Sequence, residues 1–141
     1  WAQGVSFSEQ RRVALKSLNS QEIRKSSAQG IEFSRQIARL ADENRSEDVV
    51  ILDLRGLCAV ADFFVIATGT SDRQMRAVID QVESFGKQVG QGRFGLSGYD
   101  TATWMLADYV DVVIHLFIAE RREYYDLELL WGDAPRVDWH F

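Results

Sequence analysis

Two short runs of apolar, largely β-branched residues constrain the fold of this chain more than any other feature. They occupy residues 49–54 and residues 63–69, and Gly56 follows the first of them. Apolar or nearly all-apolar runs of this length indicate strands that are covered on both faces. Such strands need helices packed on the sheet, so the sequence predicts an α/β architecture rather than a purely β one.

Two segments have the spacing of amphipathic helices. In residues 31–44 the apolar positions recur on one helical face, at Phe33, Ile37, Leu40 and Ala41. The second helix has the clearer start, because Ser71 is a suitable N-cap and Gln74 stands where a capping box needs it. Its apolar residues recur every three or four positions over about five turns, and Gly90 ends it.

The remaining segments predict two more strands and a last helix. Residues 104–109 and 112–118 are apolar runs separated by Val110-Asp111, the spacing of a tight antiparallel hairpin, although the usual Gly is missing. Residues 121–131 carry a short helical stripe. The predicted order is therefore helix, strand, strand, long helix, two or three strands, helix.

The chain divides into an extension, a domain and a tail. Residues 1–29 are rich in Ser, Gln, Arg and Lys, and we interpret them as an extension that is disordered or marginally helical. Residues 30–135 form a single compact domain in this interpretation, and residues 136–141 are a tail. Residues 1–4 are not typical of a natural start, so we expect the chain to continue upstream.

Charge and cysteine content narrow the class of protein. Sixteen basic and 21 acidic residues give a net charge of −5, which disfavours a direct RNA or DNA binder and mildly favours a basic protein as partner. Cys58 is the one cysteine, so no internal disulfide can form and a reducing, cytoplasmic location is expected. No apolar run reaches the length of about 18 residues that a membrane span needs.

Residues 104–111 are the most promising candidate for a binding site. Strand alternation places Trp104, Leu106 and Asp108 on one face, and Met105, Ala107 and Tyr109 on the other. A large aromatic residue beside a carboxylate suits a protein-binding surface, where Asp108 can pair with a Lys or Arg of the partner. The alternative is that Trp104 is a core residue and that Asp108 ends a strand or holds a turn.

The strand-to-helix junction at residues 68–72 is a second candidate. Helix N-termini bind anions, and nucleotidyltransferases bind phosphates at such a position. Those enzymes also need paired carboxylates for Mg²⁺, and no Asp-x-Asp or Glu-x-Glu follows; Asp108 and Asp111 flank the predicted turn instead. We therefore predict a capped helix and neither metal nor cofactor, and keep a nucleotidyltransferase-like nucleotide-binding protein as the alternative function.

Other reactive residues lack companions. His115 shares a strand face with apolar residues, so it is interpreted as a hydrogen-bonded core histidine rather than a base or ligand. Cys58 has no partner for metal binding or catalysis, and no feature of the sequence suggests a role for His140. The chain also lacks a Walker loop, a Gly-x-Ser-x-Gly motif and zinc-ligand spacing, so no enzyme is predicted.

Three stretches together resemble the ribosome-silencing factor (Iojap) family. They read ADFFVIATGTSDR at residues 61–73, WMLADY followed by DVVIH at residues 104–115, and REYYDLE followed by LWG at residues 122–132. The resemblance covers about residues 30–135. Two positions depart from the family pattern, because Val110 replaces a usual Gly and Ala119 a frequent Pro; both affect turns rather than the fold.

The resemblance implies a fold and a function. It implies an α/β domain with a mixed sheet, similar to nucleotidyltransferases but without their chemistry. It also implies a non-enzyme that binds the large ribosomal subunit through ribosomal protein L-fourteen, blocks joining of the small subunit, and is often a homodimer when free. The resemblance implies that Trp104 and Asp108 contact the ribosomal partner, and we predict that their neighbours Met105, Tyr109 and Asp111 belong to the same partner-binding site.

Two interpretations are open for the residues of the last helix. Tyr124, Tyr125, Asp126 and Trp131 can belong to a dimer or ribosome surface, or they can pack the helix on the sheet. We expect packing for Tyr124 and Trp131. The pair Arg121-Arg122 is interpreted as a solvated helix start.

Overall fold

A computed structural model describes the backbone of residues 20–140 and the side chains of residue 21 and residues 27–140. The elements follow in the order α1 (Ser20–Glu43), β1 (Glu47–Asp53), β2 (Phe63–Thr68), α2 (Asp72–Gln88), β3 (Gly95–Ser97), β4 (Trp104–Asp108), β5 (Val112–Phe117), α3 (Ala119–Tyr125) and α4 (Leu127–Leu130). No helix in this part of the chain is long and apolar enough to cross a membrane.

The strands form one mixed five-stranded sheet in the order β1-β2-β5-β4-β3. β2 and β5 pair in parallel at its centre, and every other neighbouring pair is antiparallel. A parallel pair needs a long crossover, which α2 supplies, whereas β4 and β5 join through the predicted hairpin. The predicted α/β class with a mixed sheet is confirmed; the more specific likeness to nucleotidyltransferases stays a prediction.

The two central strands are buried along their whole length. All residues of β2 and of β5 are buried, as the unbroken apolar runs predict. One face of the sheet packs against α1 and α2 through Phe33, Ile37, Met75, Val78, Ile79 and Val82. We call this the helix-covered face. It contains Met105, Ala107 and Tyr109, which confirms the alternation predicted for β4.

The opposite face is covered by the end of the chain. Its core includes Phe64, Leu106, Val113 and Phe117 of the sheet, together with Leu127 of α4 and Ala134. The single helix predicted at residues 121–131 is wrong, because the chain forms two short helices with Asp126 between them at φ 44° and ψ 58°. That left-handed conformation interrupts the helix, and the Asp126 side chain then accepts the Leu129 N–H to cap α4.

The N-terminal helix is longer than its apolar pattern indicates. The sequence predicted its start at residue 31, whereas α1 begins at Ser20 and so runs through residues assigned to the extension. Residues 1–19 of that extension lie outside the described part of the chain. Every other predicted strand or helix that the structure contains, apart from residues 121–131, agrees with its observed bounds to within two residues.

The segment predicted as a tail packs along the outer edge of β1. The Val137 N–H donates to the Ile51 carbonyl at 3.0 Å. Arg136 forms a β-bridge with Leu52. The Trp139 indole is buried, and its Nε1–H donates to the Val49 carbonyl at 3.1 Å. This segment therefore satisfies backbone groups of a strand that would otherwise be an open sheet edge.

Candidate protein-docking surface

The hairpin between β4 and β5 is a tight turn centred on Val110. The Asp111 N–H donates to the Tyr109 carbonyl at 3.0 Å, which closes a three-residue turn. Val110 has a φ of 73°. A γ-turn with positive φ is rare and strained, most of all for a β-branched residue. A glycine would adopt this conformation without strain, and the pairing of β4 with β5 is regular up to the turn.

Asp108 holds this turn from within. Its Oδ1 accepts the Val110 N–H at 2.7 Å, and the residue is only 2% exposed. The interpretation in which Asp108 holds a turn is therefore what the structure shows, and its side chain is buried in the free protein. Asp111 follows the turn and is half-buried. Its carbonyl accepts N–H groups of Asp62 and Phe63 at 2.8 and 3.0 Å, which docks the turn on the start of β2.

Two of the predicted contact residues lie in the core. Met105 is 0% exposed and Tyr109 is 4% exposed, and both belong to the helix-covered face. Tyr109 packs edge-on against Phe33 of α1, with ring centroids 5.2 Å apart, and burial raises its pKa to about 12. α1 and α2 therefore cover the side chains of Met105 and Tyr109, and contact of these two residues with a partner stays a prediction.

Trp104 lies on the opposite face, at the boundary between core and solvent. Its half-buried indole stacks on Phe117 with centroids 4.9 Å apart and lies 4.4 Å from the ring of Tyr125. The indole Nε1–H donates to Nδ1 of His115 at 3.1 Å. His115 is fully buried, and burial lowers its pKa to about 3. The prediction of a hydrogen-bonded core histidine is confirmed.

Exposed apolar side chains lie on α3 and α4, and one of them, Tyr125, contacts Trp104. Tyr124 is 77% exposed, Leu129 76%, Leu130 70% and Tyr125 40%. The prediction that Tyr124 packs on the sheet is wrong, whereas Trp131 does pack, edge-on to Phe64. We call Trp104, Tyr124, Tyr125, Leu129 and Leu130 the Trp104 surface. Apolar side chains collected in this way are typical of a site that another macromolecule covers.

An ion pair that sequence spacing did not indicate holds α3 and α4 in place. Arg122 Nε donates to Glu128 Oε1 at 2.9 Å. A second guanidinium nitrogen of Arg122 donates to Thr68 Oγ1 at 2.9 Å. The Arg122 side chain is only 12% exposed, so its interpretation as a solvated helix start is wrong. Positions 122 and 128 are six apart, which is not a helical neighbour spacing, and only the break at Asp126 brings them together.

The junction between β2 and α2 is a capped helix. The Gln74 N–H donates to Ser71 Oγ at 3.0 Å, and Gln74 Oε1 accepts the Thr70 N–H at 3.0 Å. A Cβ at Gly69 would lie 2.1 Å from Cγ of Met75, so this glycine makes room for a core side chain. Among the described side chains, those of residue 21 and residues 27–140, no cluster of three or more His, Cys, Asp or Glu residues could hold a metal ion. The arrangement favours the structural interpretation of residues 68–72.

The remaining singled-out residues have local roles. Cys58 is half-buried and packs at the margin of the core opposite α1 and α2. His140 is exposed, lies 3.1 Å from a carboxylate oxygen of Asp138, and stacks on Trp139 with centroids 4.0 Å apart. Hydrogen bonds from the His140 backbone and side chain hold the pKa of Asp138 below its usual range.

Comparison with known proteins places this geometry in a family. A family model described as "Ribosomal silencing factor during starvation" matches residues 27–141. A Bacillus subtilis protein named ribosomal silencing factor RsfS is 41% identical over 104 residues, which are 74% of this chain and 88% of that protein. The chloroplastic protein Iojap of Zea mays is 32% identical over 117 residues, which are 81% of this chain and 50% of that protein.

Solved structures agree with the sequence comparison. A crystal structure of a Chromobacterium violaceum protein superposes with a TM-score of 0.68 at 33% identity, covering 72% of this chain and 84% of that one. A Bacillus halodurans protein superposes with a TM-score of 0.63 at 36% identity, covering 73% and 94% of the two chains. The predicted family is confirmed: this chain belongs to the ribosomal silencing factor (RsfS/Iojap) family.

Proposed function

We propose that this protein binds the large ribosomal subunit through ribosomal protein L-fourteen and blocks association with the small subunit, which represses translation. It acts by occupying a surface and needs no catalytic step. The observation that carries the proposal is the Trp104 surface, on a chain whose relatives are named ribosomal silencing factors. A regulator that acts by steric exclusion requires an exposed apolar surface that the fold holds in a defined position and that a partner can cover.

The Trp104 surface has the composition of a protein interface. Aromatic residues such as Trp and Tyr supply most of the binding energy in interfaces, because they bury large areas with few rotatable bonds. Tyr124 and Tyr125 stand edge to face, with ring centroids 5.1 Å apart, and Tyr125 continues the stack to Trp104. Leu129 and Leu130 extend the apolar area along α4.

The charges beside this surface favour a basic partner. Glu120, Glu123, Asp126 and Asp133 are exposed on α3, α4 and the residues that follow. Arg121 is the one exposed basic residue of residues 119–133, since Arg122 is held by Glu128. An acidic rim around an apolar centre accelerates and orients the encounter with a positively charged protein. A ribosomal protein that contacts rRNA commonly has such a charge.

The proposed contact set differs from the one expected from the sequence. Trp104 remains a contact residue, and the exposed side chains of α3 and α4 join it. Asp111 lies at the opposite end of the β4–β5 hairpin and stays a separate predicted contact. Met105, Asp108 and Tyr109 support the surface from within, through core packing and the turn. We also propose that the free protein forms a homodimer in the cytoplasm, and that the dimer covers this same apolar surface. Ribosome binding and dimerisation then compete.

Co-sedimentation with separated ribosomal subunits tests the proposal. Leu129→Ser removes an exposed apolar side chain from the Trp104 surface and should not disturb the fold. Val89→Ser is the matched control, because Val89 is 48% exposed at the end of α2, on the helix-covered side. We expect wild type and Val89→Ser to pellet with large subunits only, and Leu129→Ser to bind more weakly.

A light-scattering assay of subunit association then tests the mechanism. Wild type and Val89→Ser should lower the yield of joined ribosomes when added before the small subunit. Retention of wild type in the supernatant under saturating, low-salt conditions would contradict ribosome binding. Equal binding by Leu129→Ser and Val89→Ser would keep the function but exclude the Trp104 surface as its site.

A further inference from the structure

The hydrogen bond between Trp104 and His115 links the proposed docking surface to the core. Trp104 on β4 pairs in register with Phe117 on β5, and His115 lies two residues before Phe117 on the same face. The indole therefore reaches diagonally across the strand pair, and its Nε1–H lies 3.1 Å from His115 Nδ1. Phe64 approaches the imidazole edge-on, with centroids 4.5 Å apart, so the ring has little freedom to turn.

The geometry determines the protonation of His115. An indole N–H can only donate, so Nδ1 of His115 must accept and therefore carries no proton. The imidazole is then neutral with its proton on Nε2. Complete burial agrees with this state, because desolvation disfavours the charged form. The acceptor that Trp104 needs is thus available across the physiological pH range.

We propose that His115 is a positioning residue for the docking surface: by accepting the Trp104 indole N–H, it holds the ring in the orientation that a partner binds. The proposal rests on the proposed function. Without this acceptor, the half-buried indole would lose a hydrogen bond at its inner edge and could turn about its side-chain torsions to find another acceptor in water. Its packing beside Tyr125, 4.4 Å away, would then no longer be determined.

The same bond specifies what the partner can offer to Trp104. Because its N–H is engaged inside the protein, the exposed part of the half-buried indole offers a partner only ring carbons and their hydrogens. A carbonyl or carboxylate of the partner therefore finds no hydrogen-bond donor on the exposed part of the indole. An aliphatic side chain or an arginine guanidinium, which packs on π surface, fits this chemistry and agrees with the acidic rim. We therefore assign the Trp104 contact to an apolar or guanidinium group of the partner.

A double-substitution cycle separates positioning from general stability. His115→Leu keeps an apolar side chain of similar size but removes the acceptor, and Trp104→Phe keeps an aromatic ring but removes the donor. We expect His115→Leu to weaken binding to the large subunit by about five- to tenfold, the equivalent of one neutral hydrogen bond. In the Trp104→Phe background, His115→Leu should change the affinity less than about twofold, because no N–H remains to be held. His115→Asn offers an oxygen near the former Nδ1 and should restore most of the affinity.

The indole N–H resonance of Trp104 gives a readout that needs no ribosome. Its assignment comes from the resonance that disappears in Trp104→Phe. In the wild type the indole proton of Trp104 should exchange slowly with water, and the His115 imidazole should be the Nε2–H tautomer. In His115→Leu the indole proton should exchange rapidly. Equal loss of affinity from His115→Leu in both backgrounds, or a rapidly exchanging wild-type indole, would overturn the proposal.

Failure of the proposed function is distinguishable from failure of this proposal. If the folded wild type does not bind large subunits, both the ribosomal role and the docking role of His115 are lost, while the indole resonance still reports whether His115 holds Trp104. If the wild type binds and His115→Leu binds equally well, ribosome binding stands and the positioning role is refuted.

Discussion

The strained turn at Val110 leads to a prediction whose sign is unusual. Replacing an ordinary residue by Ala normally leaves a protein more stable than replacing it by Gly, because Gly has more conformational freedom in the unfolded chain. At Val110 the φ of 73° reverses the expectation. Val110→Gly should be more stable than Val110→Ala, since only the glycine adopts this conformation without strain.

The magnitude follows from competing contributions. An Ala at positive φ is less favourable than Gly by about 1 kcal/mol or more, even after the entropy of Gly is included. Val110→Gly loses the whole of a Val side chain that is 4% exposed and whose burial stabilises the wild type by about 1.5–3 kcal/mol, and Val110→Ala loses all of it except the Cβ. Relief of about 1–2 kcal/mol of strain offsets most of this loss in Val110→Gly, which should be less stable than the wild type by at most about 2 kcal/mol. Val110→Ala should be the least stable of the three.

Urea denaturation followed by circular dichroism measures these differences. Ser84 supplies the control, because it is exposed in the interior of α2. Ser84→Ala should have a free energy of unfolding about 1 kcal/mol higher than that of Ser84→Gly, which is the opposite order to that at position 110. A difference of about 1 kcal/mol corresponds to about 4 °C in Tm for a domain of this size. If Val110→Ala proves more stable than Val110→Gly, the strained turn is not present in solution.

Three further predictions test the supports of the surface and of the sheet. Arg122→Leu should lower the free energy of unfolding, measured by urea denaturation, by about 2 kcal/mol. The loss is smaller than that for breaking a fully buried ion pair, because Glu128 is partly solvated. Adding Glu128→Gln to this variant should have little further effect on the free energy of unfolding. The pKa of His115 is about 3 in the folded state and about 6.5 in the unfolded chain, so the unfolded chain binds more protons between these two pH values. The free energy of unfolding should therefore fall as the pH decreases through this window, by at most about 1.4 kcal/mol per pH unit. His115→Asn should flatten this dependence of the free energy of unfolding on pH, as measured by urea denaturation. Trp139→Ala should cost about 3 kcal/mol and accelerate amide hydrogen exchange along β1, whereas unchanged exchange would show that the C-terminal segment does not protect that edge.

Local pattern was sufficient for most of the sheet and for the long helix. The faces of β4 follow from the backbone alone, because successive side chains of a strand point in opposite directions; Met105 and Trp104 accordingly lie on opposite faces. The start of α2 followed from Ser71 and Gln74, whose hydrogen bonds involve groups within a few residues of one another. The family followed from three motifs in order, and it implied the α/β fold.

Contact residues were harder to predict, since a strand pattern says which face a residue occupies but not what covers that face. Met105 and Tyr109 were grouped with Trp104 by sequence proximity, yet α1 and α2 cover the first two and leave the third half-exposed. Asp108 resembled a surface acid, but the N–H of a strained turn occupies its carboxylate.

The sequence by itself determined the element order, the alternation of the strands, the cap of α2 and the family, because each depends on backbone geometry or on short-range spacing. Tertiary structure alone decided which apolar residues remain uncovered. The left-handed Asp126 breaks the last helix, the Arg122–Glu128 ion pair then sets its two halves, and Tyr124 and Leu129 point into solvent as a result. The packing of the C-terminal segment on β1 was likewise decided by tertiary structure. Hydrogen bonds between residues some 90 positions apart leave no periodic pattern in the sequence.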